Sequence, residues 1–426
     1  MQMRLPIGED DFAQVRREYY FVDKSVFVAD FLRHHAAVTL FTRPRRFGKT
    51  LTLSMLRYFL DLWQSEQHRE LFAGLAIEQD AAAMQQYGQR PVVYLTFREL
   101  KLNSWQRMEQ GLRRCLSVLF RQYRFLLDAP DMDTADRVDF EQIRMGTADL
   151  VTEMGSLALL LRLLEQHYGR KAVLLIDEYD VPVQQGWQYG FYDSVIEFMR
   201  VLLTTALKSN PSLDFAVLTG VLRIAKESIF SDLNNLQVDS MLHTKYPSAF
   251  GFTPEEVRRI ARDFAKEEKL PELRAWYDGY RLESQEIYNP WSVLQYFAQG
   301  CRPGPYWVNT SGNAILSAMM QTIDAEHTAV LQGLLQGGTV QAYLREGVIY
   351  DDIADDDDAL YTMLVTTGYL TATGQQEKSG EQEYTLRLPN REMQNLFAAE
   401  ILKRLQVHKN KSALVQLMGA FLPAED

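Results

Sequence analysis

Thr39-Leu40-Phe41-Thr42-Arg43-Pro44-Arg45-Arg46-Phe47-Gly48-Lys49-Thr50 runs from a strand through a tight turn into a helix start. Val38 to Thr42 is a compact apolar run that reads as a strand. Beyond the turn, Leu51, Met55, Tyr58, Phe59 and Leu62 recur at the spacing of one helix face. A strand, a tight turn and a helix start aim backbone N–H groups and the positive helix end at one spot, where an anion is held. Gly48 lets the backbone approach phosphate oxygens where a Cβ would clash. Lys49 can reach β- and γ-phosphates, and the Thr50 hydroxyl can ligate magnesium. Arg45, Arg46, Phe47 and Leu51 are the neighbouring candidate nucleotide contacts. The full phosphate-loop pattern has Gly where Arg43 stands, and a bare Gly-Lys-Thr also suits a helix start with a solvated lysine. Arg43, Arg45 and Arg46 weigh against that bland reading, because a structural loop rarely crowds like charges without an anion.

The second informative stretch is Ala172-Val173-Leu174-Leu175-Ile176-Asp177-Glu178-Tyr179-Asp180. Continuous aliphatics mark a parallel strand buried on both faces, and ligands in open α/β sheets bind beyond the strands' C-terminal ends. Asp177 is placed to hold magnesium beside Thr50, and Glu178 to orient and polarise an attacking water. Asp180, close before Pro182, is read as shaping a turn. Thr219, ending the run Phe215 to Thr219, is placed to hydrogen-bond that water or a γ-phosphate; a plain end-of-strand threonine is the competing reading. Arg223 and Lys226 follow Gly220 and could supply a transition-state cation, from the same chain or from a neighbouring subunit in a homo-oligomer. Either could equally be a surface charge.

Between these stretches the first half alternates strands with helices. Val92 to Phe97 is a second strand, followed by a mostly helical insertion. Ser156 to Tyr168 is a helix with a serine available as its cap, and Phe191 to Ser209 is another. This is an α/β nucleotide-binding layout complete by about Gly220. The second half is richer in helix, including Pro254 to Lys269, Asn289 to Gly300 and Leu360 to Thr367. Tyr369 to Thr373 and Glu383 to Leu388 read as two strands about a polar turn, Gly374 to Gln382, which together look like the wing of a winged helix. The acidic run Asp351-Asp352 and Asp355 to Asp358 lacks the glycine and terminal glutamate of a calcium loop and reads as a solvated loop or helix start.

Bulk properties bound the rest. A chain of 426 residues suggests two or three domains. Its Lys+Arg of 45 against Asp+Glu of 56 gives a net charge of -11, which argues against a surface built for indiscriminate nucleic-acid binding. No apolar run is long enough to span a bilayer, no signal-peptide core follows the N-terminus, and Cys115 and Cys301 have no metal-type spacing. The expected compartment is the cytoplasm, with both thiols reduced and buried.

Several motifs together make the chain similar to the bacterial AAA-ATPase-like family, whose longer members carry a C-terminal PD-(D/E)XK nuclease-like domain. They are Leu5-Pro6-Ile7-Gly8 with Asp11-Phe12, Tyr20-Phe21-Val22-Asp23-Lys24-Ser25, Arg43 to Thr50, Asp177-Glu178-Tyr179-Asp180 and Leu218-Thr219-Gly220 to Asn235. Further on come Phe250-Gly251-Phe252-Thr253, Trp276-Tyr277-Asp278-Gly279-Tyr280, Tyr288-Asn289-Pro290-Trp291-Ser292 and Leu388-Pro389-Asn390-Arg391-Glu392. The resemblance covers about the first 390 residues, and an Arg at the first phosphate-loop Gly is usual for it. It implies an α/β P-loop NTPase of the additional-strand type, with a parallel sheet flanked by helices, then a mostly helical region with a winged-helix-like segment. The expected domains are 1–240 for the P-loop ATPase, 241–335 for a helical region and 336–426 for the winged-helix-like region. It further implies ATP rather than GTP, and Asp23 and Lys24 near the nucleotide.

No strand-borne Asp followed by Glu-x-Lys is present, and Glu400-Ile401-Leu402-Lys403 has the wrong spacing. The chain therefore reads as a short member from which nuclease activity is not expected. The expected function is ATP hydrolysis with Mg2+. Its rivals are a nucleotide-dependent switch that presents the C-terminal region to DNA or a protein partner, and a scaffold docking through aromatics such as those of Trp276 to Tyr280.

Overall fold

The computed structural model describes residues 4–223, 230, 234–307, 325–345, 347, 356–378 and 380–407. They form two compact units. One takes in the chain up to Arg43 and Gly48–Ser240; the other takes in Pro44–Phe47 and the chain from Met241 onward.

The first unit is built on five strands: β1 (Val38–Thr42), β2 (Val92–Thr96), β3 (Ala172–Asp177), β4 (Leu213–Gly220) and β5 (Leu236–Asp239). All neighbours pair parallel, in the order β2-β3-β4-β1-β5. Three helices come early in the chain: α1 (Phe12–Glu18), α2 (Val26–His34) and α3 (Lys49–Leu60). Alternate strand residues pack to opposite faces. Val38, Leu40, Leu174, Ile176, Ala216 and Leu218 join a core with Leu112, Leu116, Leu160 and Leu203 from the helices Trp105–Gln122, Ser156–Tyr168 and Tyr192–Leu207. On the other face Phe31 of α2 lies against Phe41 of β1 and Phe215 of β4. Helices on both faces explain why β1 and β3 are buried at every position.

The sheet order carries the functional geometry, because β4 intervenes between β1 and β3. Register sets Phe41 beside Thr219 and Thr42 beside Gly220, and sets Thr96 beside Asp177. The C-terminal ends of four strands are therefore level. β5 lies outside the sequence expectation: it is four residues long with a single buried position, too little apolar pattern to read. The expected serine cap at Ser156 is also corrected. Gly155 is the N-cap, and Ser156 is the first helical residue, fully buried.

The second unit holds a short antiparallel hairpin, β6 (Tyr280–Leu282) with β7 (Gln285–Ile287), and a three-stranded antiparallel sheet. That sheet comprises β8 (Val340–Tyr343), β9 (Thr371–Lys378) and β10 (Glu381–Arg387), in the order β8-β10-β9. Its helices are Pro254–Asp263, Leu270–Tyr277, Pro290–Ala298, Ala325–Leu335, Asp357–Thr366 and Arg391–Val407. The helix expected to run to Lys269 stops at Asp263, with Ala265 in the left-handed region at φ 52°. The helix expected from Asn289 begins at Pro290, with the Asn289 side chain as its cap. Most of the expected polar turn, 374–382, is strand: Gln375 to Lys378 pair with Glu381 to Tyr384. An antiparallel ladder is satisfied through backbone, so solvent-facing polar side chains there carry no turn signal. In the acidic run, Asp356 caps the helix Asp357–Thr366, accepting from the Asp358 and Ala359 amides at 2.9 and 3.3 Å. Asp351, Asp352 and Asp355 lie outside the described residues. Tyr277 and Tyr280 are fully buried, which removes them from any docking surface.

Both thiols are partly exposed rather than buried. Among the described residues, no helix is long and apolar enough to cross a membrane.

Candidate functional site

The site is assembled at the level ends of β2, β3 and β4 and the first turn of α3. Asp177 closes β3 with its side chain fully buried. Its two oxygens accept hydrogen bonds from hydroxyls on either side, Thr219 at 2.6 Å and Thr50 at 2.9 Å. Burial pushes its pKa above the ordinary carboxylate range, helped by the charge of Glu178. The two hydroxyls and the Arg98 guanidinium pull the other way. The residues singled out at three distant points of the sequence, Thr50, Asp177 and Thr219, thus meet around one carboxylate.

Glu178 follows at φ 53°, in the left-handed region that a β-carbon makes unfavourable. That turn carries the chain away from β3 while leaving the side chain partly exposed. Backbone strain of this kind persists only where the surroundings over-determine it, and it clusters at functional sites.

Tyr179 and Asp180 lock the next turn. The Tyr179 amide donates to the Thr219 carbonyl at 3.0 Å, and its hydroxyl donates to the Leu222 carbonyl at 2.7 Å. Asp180 does more than shape its own turn: its Oδ2 accepts the amides of Val221 and Leu222 at 2.7 and 3.0 Å. Burial raises its pKa, countered by those amides and by the charge of Lys49. Gly220 passes so close that a β-carbon there would stand 2.7 Å from the Tyr179 ring.

α3 starts at Lys49, with Gly48 as a left-handed N-cap at φ 85°. Lys49 is buried, and its ammonium donates across the turn to the Arg43 carbonyl at 2.8 Å. Arg43 itself is corrected. It is not a cation offered to an anion but a fully buried side chain paired with Asp239 of β5, donating also to the Thr42 and Asp239 carbonyls at 2.9 Å. Its charge is spent on closing the sheet edge. Arg45, Arg46 and Phe47 group with the second unit. The Arg45 carbonyl accepts from Trp307 Nε1 at 3.0 Å, Arg46 lies 4.3 Å over the Trp291 ring, and Phe47 packs with Tyr280, Leu282 and Ile287. Leu51 is half-buried on α3.

Other expected residues are placed less centrally. Asp23 spends both oxygens on backbone, accepting from the Ser25 and Ala76 amides at 2.8 and 2.7 Å. Lys24 adjoins it, just before the Ser25 cap of α2. Arg223 follows Leu222, whose amide Asp180 holds. Lys226 lies outside the described residues.

One residue of the site escaped the sequence reading. Arg98, two residues past β2, donates from Nη2 to Thr50 Oγ1 at 3.0 Å and pairs with Asp10 at 2.6 Å. Asp177 and Glu178 each lie 3.8 Å from the guanidinium. Burial opposes its charge, but the hydrogen bond and charge of Asp10, with Asp177 and Glu178, outweigh that and raise its pKa. The usable signal was positional: a charged residue just beyond a buried parallel strand.

Among the described residues, no cluster of three His, Cys, Asp or Glu side chains could hold a metal ion. The oxygens of Thr50 and Asp177 nevertheless fit magnesium. That ion favours hard oxygen ligands and takes one or two from protein, the rest from water and phosphate.

The model of the AAA-ATPase-like family, described as a predicted AAA-ATPase, matches residues 6–230. A protein of Azotobacter chroococcum mcd 1, described as an uncharacterized protein in the vnfD 5' region, is 29% identical over 418 residues, covering 94% of this chain and 70% of its own length. With the family model spanning more than half of the 426 residues, the chain belongs to the AAA-ATPase-like family.

Proposed function

We propose that the chain binds ATP with magnesium and hydrolyses it to drive a conformational change. The observation that carries this reading is the meeting of Thr50 and Asp177, 2.9 Å apart, at the joint ends of α3 and β3. A helix start with a buried lysine faces a buried carboxylate there, the pairing that a phosphate-bound cation requires. The backbone from Gly48 to Leu51 and the Lys49 ammonium would take the phosphates, while Thr50 and Asp177 would hold the magnesium; Arg45, Arg46 and Phe47 remain proposed nucleotide neighbours on the sequence motif alone. Bound there, the ion would neutralise charge on the β- and γ-oxygens. Glu178 orients and polarises the attacking water, and Thr219 fixes Asp177 from the other side. Arg223, in the same chain or from a neighbouring subunit of a homo-oligomer, is the proposed cation for the transition state. Asp23 and Lys24 remain proposed nucleotide neighbours on the family resemblance alone. We place the activity in the bacterial cytoplasm.

A second reading, a nucleotide-dependent switch with little turnover, is favoured by the strand order β8-β10-β9 behind the helix Asp357–Thr366. We read that arrangement, in a domain of residues 336–426 after a helical region of 241–335, as winged-helix-like, a platform for a protein or DNA partner. The exposed tip of its hairpin carries Glu377 and Glu381 beside Lys378, which favours protein over DNA.

Steady-state phosphate release from Mg·ATP separates the readings. Glu178→Gln should lower turnover by roughly 10²- to 10⁴-fold with nucleotide binding retained, and Lys49→Ala should lose binding. ATP binding without release in the wild type would favour the switch; no binding would sink both.

A further inference from the structure

We infer that Arg98 is a built-in counter-ion that holds the cation's place when no cation is bound and yields it when the cation enters. The inference rests on the ATP and magnesium reading for its biological meaning, but its test does not.

The hydroxyl of Thr50 has one hydrogen and two lone pairs. The hydrogen goes to Asp177 at 2.9 Å, and a lone pair accepts from Arg98 at 3.0 Å. A metal ion at Thr50 would need such a lone pair, and it would need the Asp177 oxygen that now faces the Thr50 hydrogen. Cation entry therefore requires the guanidinium to leave Thr50 and the hydroxyl to turn. The two cannot share the position, because both are positive and would stand within a few ångströms of each other.

The surroundings explain why a cation belongs there at all. Three carboxyl groups, of Asp10, Asp177 and Glu178, lie within 4 Å of Arg98. Asp177 is fully buried, where an uncompensated negative charge is expensive. Arg98 supplies that compensation from a partly exposed position, 33% by side chain. Asp10 pairs with the same Nη2 that donates to Thr50, at 2.6 Å. Released from Thr50, Arg98 keeps this anchor and its proximity to Glu178. Arg98 is thus a positioning residue that sets how readily the cation binds.

A merely structural Arg98–Asp10 pair predicts nothing for metal affinity, and that distinguishes the two roles. The probe is Mn2+ alone, titrated into nucleotide-free protein and followed by its paramagnetic resonance signal. Arg98→Gln keeps much of the side-chain length without the charge; Arg98→Lys keeps the charge and guards against loss of fold as an explanation. Arg98→Gln should bind Mn2+ at least about tenfold more tightly than wild type, since a unit charge a few ångströms from the ion is removed. Arg98→Lys should stay near wild type, and adding Asp177→Asn to Arg98→Gln should erase the gain. Equal affinity in Arg98→Gln and wild type, or a gain that survives Asp177→Asn, would overturn the inference. Because no nucleotide is present, a failure to bind ATP would count against the proposed function and leave the Mn2+ result standing.

Discussion

Two sets of buried polar side chains, one in each unit, are satisfied in different ways. In the second unit, Asn289, Asn390 and Glu392 close on nearby backbone or on a hydroxyl. Asn289 accepts the Ser292 amide at 3.2 Å; Asn390 donates to the Asp278 carbonyl at 2.6 Å and accepts the Met393 amide at 3.1 Å. Glu392, fully buried, accepts from the Trp307 amide and the Ser292 hydroxyl, each at 2.7 Å. In the first unit, Asp177 is met by two hydroxyls, with a guanidinium 3.8 Å away that Asp10 and Glu178 also claim. Buried polarity that is satisfied locally is scaffold. Buried polarity gathered at strand ends, with acid in excess of the base beside it, is poised for a ligand. The motifs around Asp278, Asn289 and Asn390 are as conspicuous in the sequence as the turn from Arg43 to Thr50, yet the structure gives them joints to hold.

The Arg43–Asp239 pair is a fully buried charged scaffold element of the first unit, with side chains 0% and 1% exposed. Asp239→Ala strands a buried guanidinium and should cost about 3–5 kcal/mol, read as loss of hydrogen-exchange protection in β1 and β5. Unchanged protection would mean that the pair is dispensable and that Arg43 is free for other work.

The corresponding joint in the second unit is Gly279, at φ 96°, where a β-carbon would overlap the Pro389 carbonyl. Gly279→Ala should cost about 3 kcal/mol by combined strain and overpacking. Urea unfolding monitored by exchange in β6, β7 and the helix Arg391–Val407 measures it; a wild-type midpoint would show that the turn relaxes freely.

The smallest effect is a pH dependence. Burial raises Glu392 from its ordinary 4.5 to about 7, against the pull of the Trp307 amide and the Ser292 hydroxyl. The folded state therefore favours the neutral acid. This contribution is complete below pH 4.5 and is lost as pH rises through about 7. The second unit should lose roughly 2–3 kcal/mol of stability across that window, and Glu392→Gln should flatten the profile. A wild-type stability that rises over the same window would reverse the assignment.

The turn from Arg43 to Thr50 and the acidic strand end were legible as local structure because both follow from local rules. A five-residue apolar run, a glycine before Lys-Thr and an aliphatic strand ending in Asp-Glu announce themselves wherever the chain folds. Val38–Thr42 was readable to the residue for the same reason, and the helix ending at Tyr168 to within its cap. Arg43 shows where local reading fails, since three arginines in four positions look alike until a partner 196 residues away claims the first of them. β5, which brings that partner, has too short a pattern to be seen.

Periodicity and residue type settle strands, helix starts and local charge, so a cationic turn and an acidic strand end follow from the chain's own pattern. Which charges meet depends on the fold. Inserting β4 between β1 and β3 sets Thr219 and Thr50 on one carboxylate, and the end of β2 delivers Arg98 to the same hydroxyl. Contacts of this kind join residues 42 to 127 positions apart, and no local pattern encodes a pairing that depends on sheet order and register.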